Sequence, residues 1–86
     1  MQMVNLQSTP LKIEEGGTSG IRKTSGTEHA IYLTSGHALL VISSPGADWK
    51  YPIAPLTALW IPDGTTYEIK NSGAGNIGGV FFEYRV

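Results

Sequence analysis

Residues 60–71 read "WIPDGTTYEIKN", and how this stretch is parsed decides the fold. Trp60-Ile61 is apolar and runs into Pro62, which fixes φ and cannot donate to a ladder. Asp63-Gly64 then supplies a tight turn, because Asp bonds its own backbone and Gly tolerates positive φ. From Thr66 the chain alternates, with Tyr67, Ile69 and Asn71 on one side and Thr66, Glu68 and Lys70 on the other. Period-two alternation is the mark of a strand. The stretch is a strand, a turn and a second strand.

The same punctuation runs through the whole chain. Eleven glycines and five prolines leave no interval longer than nine residues free of both. An average helix needs about 11–12 residues, and Gly or Pro in its interior costs about 1–3 kcal/mol. Strands fit the intervals instead: 11–13, 21–24, 28–34, 37–43, 49–53, 57–61, 66–71 and 80–86. Pro52 predicts an edge position for the fifth. Connections too short for crossover helices predict antiparallel pairing. Residues 1–10, "MQMVNLQSTP", are expected to form an extended arm on a single domain spanning 1–86.

Composition narrows the function. A formal charge of -1 with only 15% charged residues excludes the basic stripe that nucleic acid requires. There is no cysteine, so neither a disulfide framework nor a thiolate metal site is available. No basic leader with an apolar core stands at the start, and no apolar run reaches membrane-spanning length. A soluble cytoplasmic protein is expected. "GAGNIG", 73–78, matches a dinucleotide-binding pattern, but that mechanism needs a helix after the loop. Here only eight residues follow Gly78, and they read as a strand. A hairpin loop is the better reading. "SGTE" from Ser25 and "TTYE" from Thr65 resemble helix caps but precede strands, so they are turn residues.

Two spacings between Glu28 and Asn71 resemble the cupin superfamily. The second cupin motif runs Gly-x5-Pro-x-Gly-x2-His-x3-Asn. Pro62, Gly64 and Asn71 match it, with Leu56 at the first glycine and Tyr67 at the histidine. The first motif, His-x-His-x3or4-Glu-x6-Gly, has its glycine at Gly36, which places His29 at the glutamate. The resemblance implies an all-β, cupin-like antiparallel double-sheet jelly-roll barrel with a small-molecule site inside. It covers about half the chain, and the rest fits as flanking strands.

Alternation then distributes the side chains. With His29 inward, Ile31 and Leu33 also point in, while Glu28, Ala30 and Tyr32 point out. Ala38, Leu40 and Ile42 point in, and His37, Leu39 and Val41 point out. Tyr67 converges on His29. A four-residue spacer in the first motif puts Arg22 and Thr24 at its two histidine positions, and a three-residue spacer puts Lys23 and Ser25 there. Either choice yields one cation and one hydroxyl. Divalent metals are held by several His, Cys or carboxylate donors, and only His29 qualifies among these. No metal and no other cofactor is expected.

On the last strand Val80, Phe82, Tyr84 and Val86 form the more apolar phase and are placed inward, with Phe81, Glu83 and Arg85 outward. The opposite phase would bring the Glu83 carboxylate into the interior. Trp49, Tyr51 and Trp60 either pack between the sheets or line the mouth and stack on a ring.

Three functions remain in view. One is metal-free binding of a small polar or anionic molecule through His29, Tyr67 and Arg22, Lys23 or Thr24. Another is an isomerase, epimerase or lyase acting on a sugar or carbonyl acid, with His29 and Tyr67 as acid and base. The last is a structural or regulatory subunit without ligand. A homodimer is expected through Leu39, Val41 and Tyr32, unless Val4, Leu6, Leu11 and Ile13 fold across that patch.

Overall fold

The computed structural model describes residues 6–85 of the chain. Among them there is no helix. Eight strands follow in order: β1 Leu6–Ile13, β2 Arg22–Lys23, β3 Thr27–Ser35, β4 Ala38–Ser44, β5 Ala47–Ile53, β6 Thr57–Ile61, β7 Thr66–Asn71 and β8 Ile77–Arg85. They form two antiparallel four-stranded sheets, β1-β8-β3-β6 and β2-β7-β4-β5. Strands adjacent in sequence mostly sit in different sheets, which is the jelly-roll pattern. The two sheets stay distinct and are not closed into a continuous barrel.

Both prolines found inside strands lie on edges, Pro10 in β1 and Pro52 in β5, where a missing N–H costs no ladder bond. From Leu6 onward the expected arm is strand, paired with β8 through Leu6↔Tyr84 to Ile13↔Ile77. Residues 1–5, including Val4, lie outside the described residues. The polar run "LQST" with Pro10 hid this half of β1 from a pattern reading. β8 also begins earlier than expected, at Ile77. Gly78 and Gly79 oppose a register shift in β3 between Leu33 and Ser35. A Cβ at Gly79 would run into the Tyr32 carbonyl oxygen, so the two backbones approach there only because the residue is glycine.

The turn quoted at the outset is anchored to the β2–β3 connection. Thr24 is fully buried, and its hydroxyl donates to the Pro62 carbonyl at 2.7 Å and accepts the Thr65 N–H at 2.8 Å. The Asp63 carboxylate accepts the Gly26 N–H at 2.9 Å. At the other end of β7, Asn71 donates to the carbonyls of Ile13 and Gly75 and accepts the Gly73 N–H. Its amide thereby organises the loop into β8.

One core runs between the sheets: Leu11, Ile13, Ile31, Leu33, Ala38, Leu40, Ile53, Ile61, Tyr67, Ile69 and Ile77. Most of it lies toward one end. There Leu11, Ile13, Leu33, Ala38, Ile53, Ile69 and Ile77 close the sandwich. Toward the opposite end the inner rows turn polar and open to solvent at Arg22 and Glu83.

Two expectations about faces are corrected. Ile77 and Phe81 are the β8 residues packed in or on the core, and Glu83 shares their phase, so Val80, Phe82 and Tyr84 face outward. Val86 lies outside the described residues. Cross-strand register decides this, since Glu83 pairs with His29 and Phe81 with Ile31. The expected dimer patch is also divided. Tyr32 belongs to the first sheet, Leu39 and Val41 to the second. Val41 is buried rather than exposed, in a row between Lys50 and Glu68.

Candidate functional site

At the open end two cross-strand rows face one another. The first sheet presents Gln7, Glu83, His29 and Ile61 in order across β1, β8, β3 and β6. The second presents Arg22, Tyr67, Ile42 and Trp49 across β2, β7, β4 and β5.

His29 is buried and bonded through both ring nitrogens. Nδ1 lies 2.6 Å from the Tyr67 hydroxyl and Nε2 lies 3.0 Å from Glu83 Oε2. A carboxylate only accepts, so Nε2 carries a hydrogen when Glu83 is ionised. In the neutral ring Nδ1 then accepts from the Tyr67 O–H, and in the imidazolium it donates to the Tyr67 oxygen. The result is a continuous chain from a fully buried phenol, through an imidazole, to a carboxylate whose side chain is 41% exposed. Aromatic edges fix the imidazole plane: Phe81 stands 4.8 Å from it and Tyr67 5.7 Å, both T-shaped.

Burial pushes the Tyr67 phenol up to about 12, with Arg22 pulling it down and Glu83 raising it further. Desolvation penalises the phenolate, so Tyr67 remains a neutral donor through the physiological range. Arg22 lies with its guanidinium carbon 5.0 Å from the centroid of Phe81. Among the described residues no carboxylate pairs with it within 4.0 Å. A ring face thus holds the cation at the mouth.

The sequence candidates therefore separate. His29, Tyr67 and Arg22 meet, and Arg22 with Thr24 inward corresponds to the four-residue spacer. Lys23 and Ser25 are exposed. Thr24 spends its hydroxyl on the turn and is a structural clamp. Glu83, placed outward by apolar count alone, is the residue the sequence reading set on the wrong face. A buried imidazole with two nitrogens to satisfy is the signal that could have recruited it.

His29, Tyr67, Arg22 and Thr24 stand at the positions to which the motif resemblance assigns metal ligands. The donors do not fit a resident divalent ion. His29 has both nitrogens engaged within the protein, Glu83 is the one carboxylate bonded to it among the described residues, and a guanidinium occupies the same mouth. Among the described residues no group of three metal-ligating side chains exists.

Against solved structures, the chain superposes on the cupin domain of Schizosaccharomyces pombe Cnp3 with a TM-score of 0.84 at 11% identity, covering 94% of this chain and 56% of that one. This is the cupin fold. A predicted oxalate decarboxylase from Thermotoga maritima gives 0.80 at 19% identity, covering 92% and 65%. A putative sugar phosphate isomerase from Acidithiobacillus ferrooxidans gives 0.79 at 24% identity, covering 94% and 51%. The chain thus spans between half and two-thirds of the length of these cupin-fold chains. No family model and no curated protein matches the sequence. No described helix is long and apolar enough to cross a membrane.

Proposed function

We propose that the open end of this cupin fold binds a small polar molecule carrying an anionic group, without a metal. One observation carries the reading: Arg22 stands on the inner wall beside Tyr67, held by the Phe81 ring and paired with no carboxylate among the described residues. An arginine without a partner in a half-enclosed mouth is an anion receptor in geometry and charge. Glu83 lies on the facing row and is part-exposed, so it can accept a hydroxyl or amine of the same ligand. A hydroxy acid, sugar acid or phosphorylated polyol has both groups. Calorimetric titration with phosphate, a sugar acid and a hydroxycarboxylate tests this. Binding that weakens at least tenfold in Arg22→Ala supports it, and equal binding by the variant refutes it.

A second reading, acid–base catalysis, is favoured by the hydrogen-bonded order Tyr67–His29–Glu83. In that case Glu83 meets the substrate, because Tyr67 is fully buried and both nitrogens of His29 are occupied. The Glu83 carboxylate takes a proton from carbon beside a carbonyl and becomes the neutral acid. The negative charge passes to the substrate's enolate oxygen, which the Arg22 cation can stabilise, and Glu83 then returns the proton to the neighbouring carbon. An isomerase, epimerase or lyase on a sugar or carbonyl acid uses this step, and one neighbour in fold is described as a putative sugar phosphate isomerase. Deuterium wash-in from D₂O into hexose phosphates or 2-oxo acids, followed by NMR, is the measurement. Exchange abolished by Glu83→Gln supports catalysis; no exchange in the native protein leaves binding as the function.

A further inference from the structure

The two sheets are not stacked in phase. Tyr67 on β7 meets His29 on β3, and Arg22 on β2 lies over Phe81 on β8. With strand orders β2-β7-β4-β5 and β1-β8-β3-β6, this sets β4 opposite β6 and leaves β5 projecting past the edge of the first sheet. The side chains of β5 show it. Ile53, at the closed end, is buried. Trp49 and Tyr51 have the same phase as Ile53, since they pair with Ile42 and Leu40, yet they are 57% and 46% exposed. They sit on the inner surface of the sandwich with no strand opposite. Ile42 and Leu59, packed on the core and partly buried, form the floor where this ledge joins the mouth.

We propose that Trp49 and Tyr51 are a ring-binding subsite continuous with the Arg22 mouth. Its ligand is a single molecule with a six-membered ring and an anionic group. The proposal rests on the anion-binding reading of Arg22 and names the rest of the ligand. Trp49, Ile42, Tyr67 and Arg22 stand in one cross-strand row. Adjacent strands are about 4.8 Å apart, so the backbones of Trp49 and Arg22 are about 14 Å apart. Both side chains are long, so a phosphorylated ring lying along the row can span from one to the other. Between them the row is apolar at Ile42, which suits the face of a ring, and the part-exposed Glu83 carboxylate on the facing row suits its substituents. Residues two apart on a strand share a face at about 6.6 Å, so Trp49 and Tyr51 make one platform. Large aromatics kept in water on a concave surface gain their free energy when a ring covers them.

Four probes separate the parts: inorganic phosphate, methyl glucoside, glucose 6-phosphate and phenyl phosphate. Trp60 lies on the outer face of the first sheet, so Trp60→Phe leaves Trp49 as the only tryptophan for fluorescence. In that background a ring phosphate is expected to bind at least tenfold tighter than inorganic phosphate and to change the Trp49 emission. Adding Tyr51→Ala, or reading Trp49→Ala by calorimetry, removes that advantage and leaves the phosphate affinity in place. Glucose 6-phosphate against phenyl phosphate decides between a saccharide and an aryl ring. A phosphate response with no gain from either ring, or a gain that survives Trp49→Ala, overturns the subsite and leaves the Arg22 reading intact. A Trp49 response to methyl glucoside with none to phosphate overturns the Arg22 reading instead. Silence to all four overturns both.

Discussion

The two ends of the sandwich are built from the same eight strands and do opposite work. At the closed end the inner rows are Leu11, Ile13, Leu33, Ala38, Ile53, Ile69 and Ile77, and they exclude water. At the open end the same strands present Glu83, His29, Tyr67 and Arg22, and the aromatic residues of β5 stand in solvent. Apart from the register shift at the end of β3, the strands keep one phase along their length, so the difference is one of residue choice. A chain this small cannot be apolar throughout its interior and also bind a polar molecule. On the proposed reading it divides the two tasks between its ends. Stability should therefore respond to the closed end and binding to the open end.

The largest expected effect follows directly. Ile77 is fully buried at the closed end, and Ile77→Ala removes methylenes and leaves a cavity. Urea unfolding should show a loss of about 2–5 kcal/mol. Trp49→Ala at the open end should change it by less than about 0.5 kcal/mol. If the two variants unfold alike, the division between the ends is wrong.

Tyr67 tests the border between them. Tyr67→Phe keeps the ring in the core but leaves Nδ1 of buried His29 without its partner, a loss of about 1–3 kcal/mol. Alkaline titration adds a signature. The folded phenol is raised to about 12 from an ordinary value near 10. Below the unfolded pKa both states hold the proton and its contribution is complete. As pH rises from about 10 toward 12 the unfolded chain releases the proton first, so stability falls by about 1 kcal/mol per pH unit. Tyr84 is raised in the same direction, by burial and by its hydrogen bond to Glu28, so Tyr84→Phe is the control. The decline should lose part of its slope in each variant and disappear in the pair.

How much of this was legible in the sequence depended on where the information lay. Gly and Pro spacing excluded helices, and alternation located all eight strands, because both are local properties of the chain. The Pro62 turn and Asn71 were legible for the same reason: each satisfies nearby backbone. His29 and Tyr67 were placed inward by their positions in the two motifs, and alternation carried their neighbours with them. Glu83 was not, because "VFFEYRV" is apolar in both phases and the deciding fact is register with β3. The patch joining Tyr32 to Val41 failed similarly, since alternation gives a face and never says which sheet owns it.

That correction moves the expected dimer. On the outer face of the first sheet, Leu6, Tyr32, Ala58, Trp60, Val80 and Phe82 are neighbours by register, and Trp60 is 60% exposed. Four strands about 4.8 Å apart and about eight residues long at 3.3 Å each give a face of about 500 Å² before side-chain relief. A standard interface takes about 800 Å² per partner. A second copy packed two-fold on this face is the proposed cover, because one flat apolar patch is its own complement. Light scattering should give a dimer mass for the native chain and a monomer mass for Trp60→Lys with Phe82→Lys. Leu39→Lys in the second sheet should leave the dimer intact. A native monomer removes the proposal.

The smallest expected effect lies in the turn between β5 and β6. Leu56 has φ of +65°, the only non-glycine residue with positive φ among those described, and it is 74% exposed. It occupies the position of the first glycine in the second motif, which explains why glycine suits that place. A left-handed leucine costs about 1–2 kcal/mol. The turn holds nonetheless because the Leu56 N–H donates to the Leu33 carbonyl at 2.7 Å, against the closed end. Leu56→Gly keeps that bond, removes the strain and gives up about 0.5–1 kcal/mol to the freer unfolded chain. The net gain should be about 0.5 kcal/mol by urea unfolding. Leu56→Ala retains the Cβ and should gain nothing. A loss of more than 1 kcal/mol in the glycine variant would mean that the Leu56 side chain, exposed in the single chain, is covered by something else in solution.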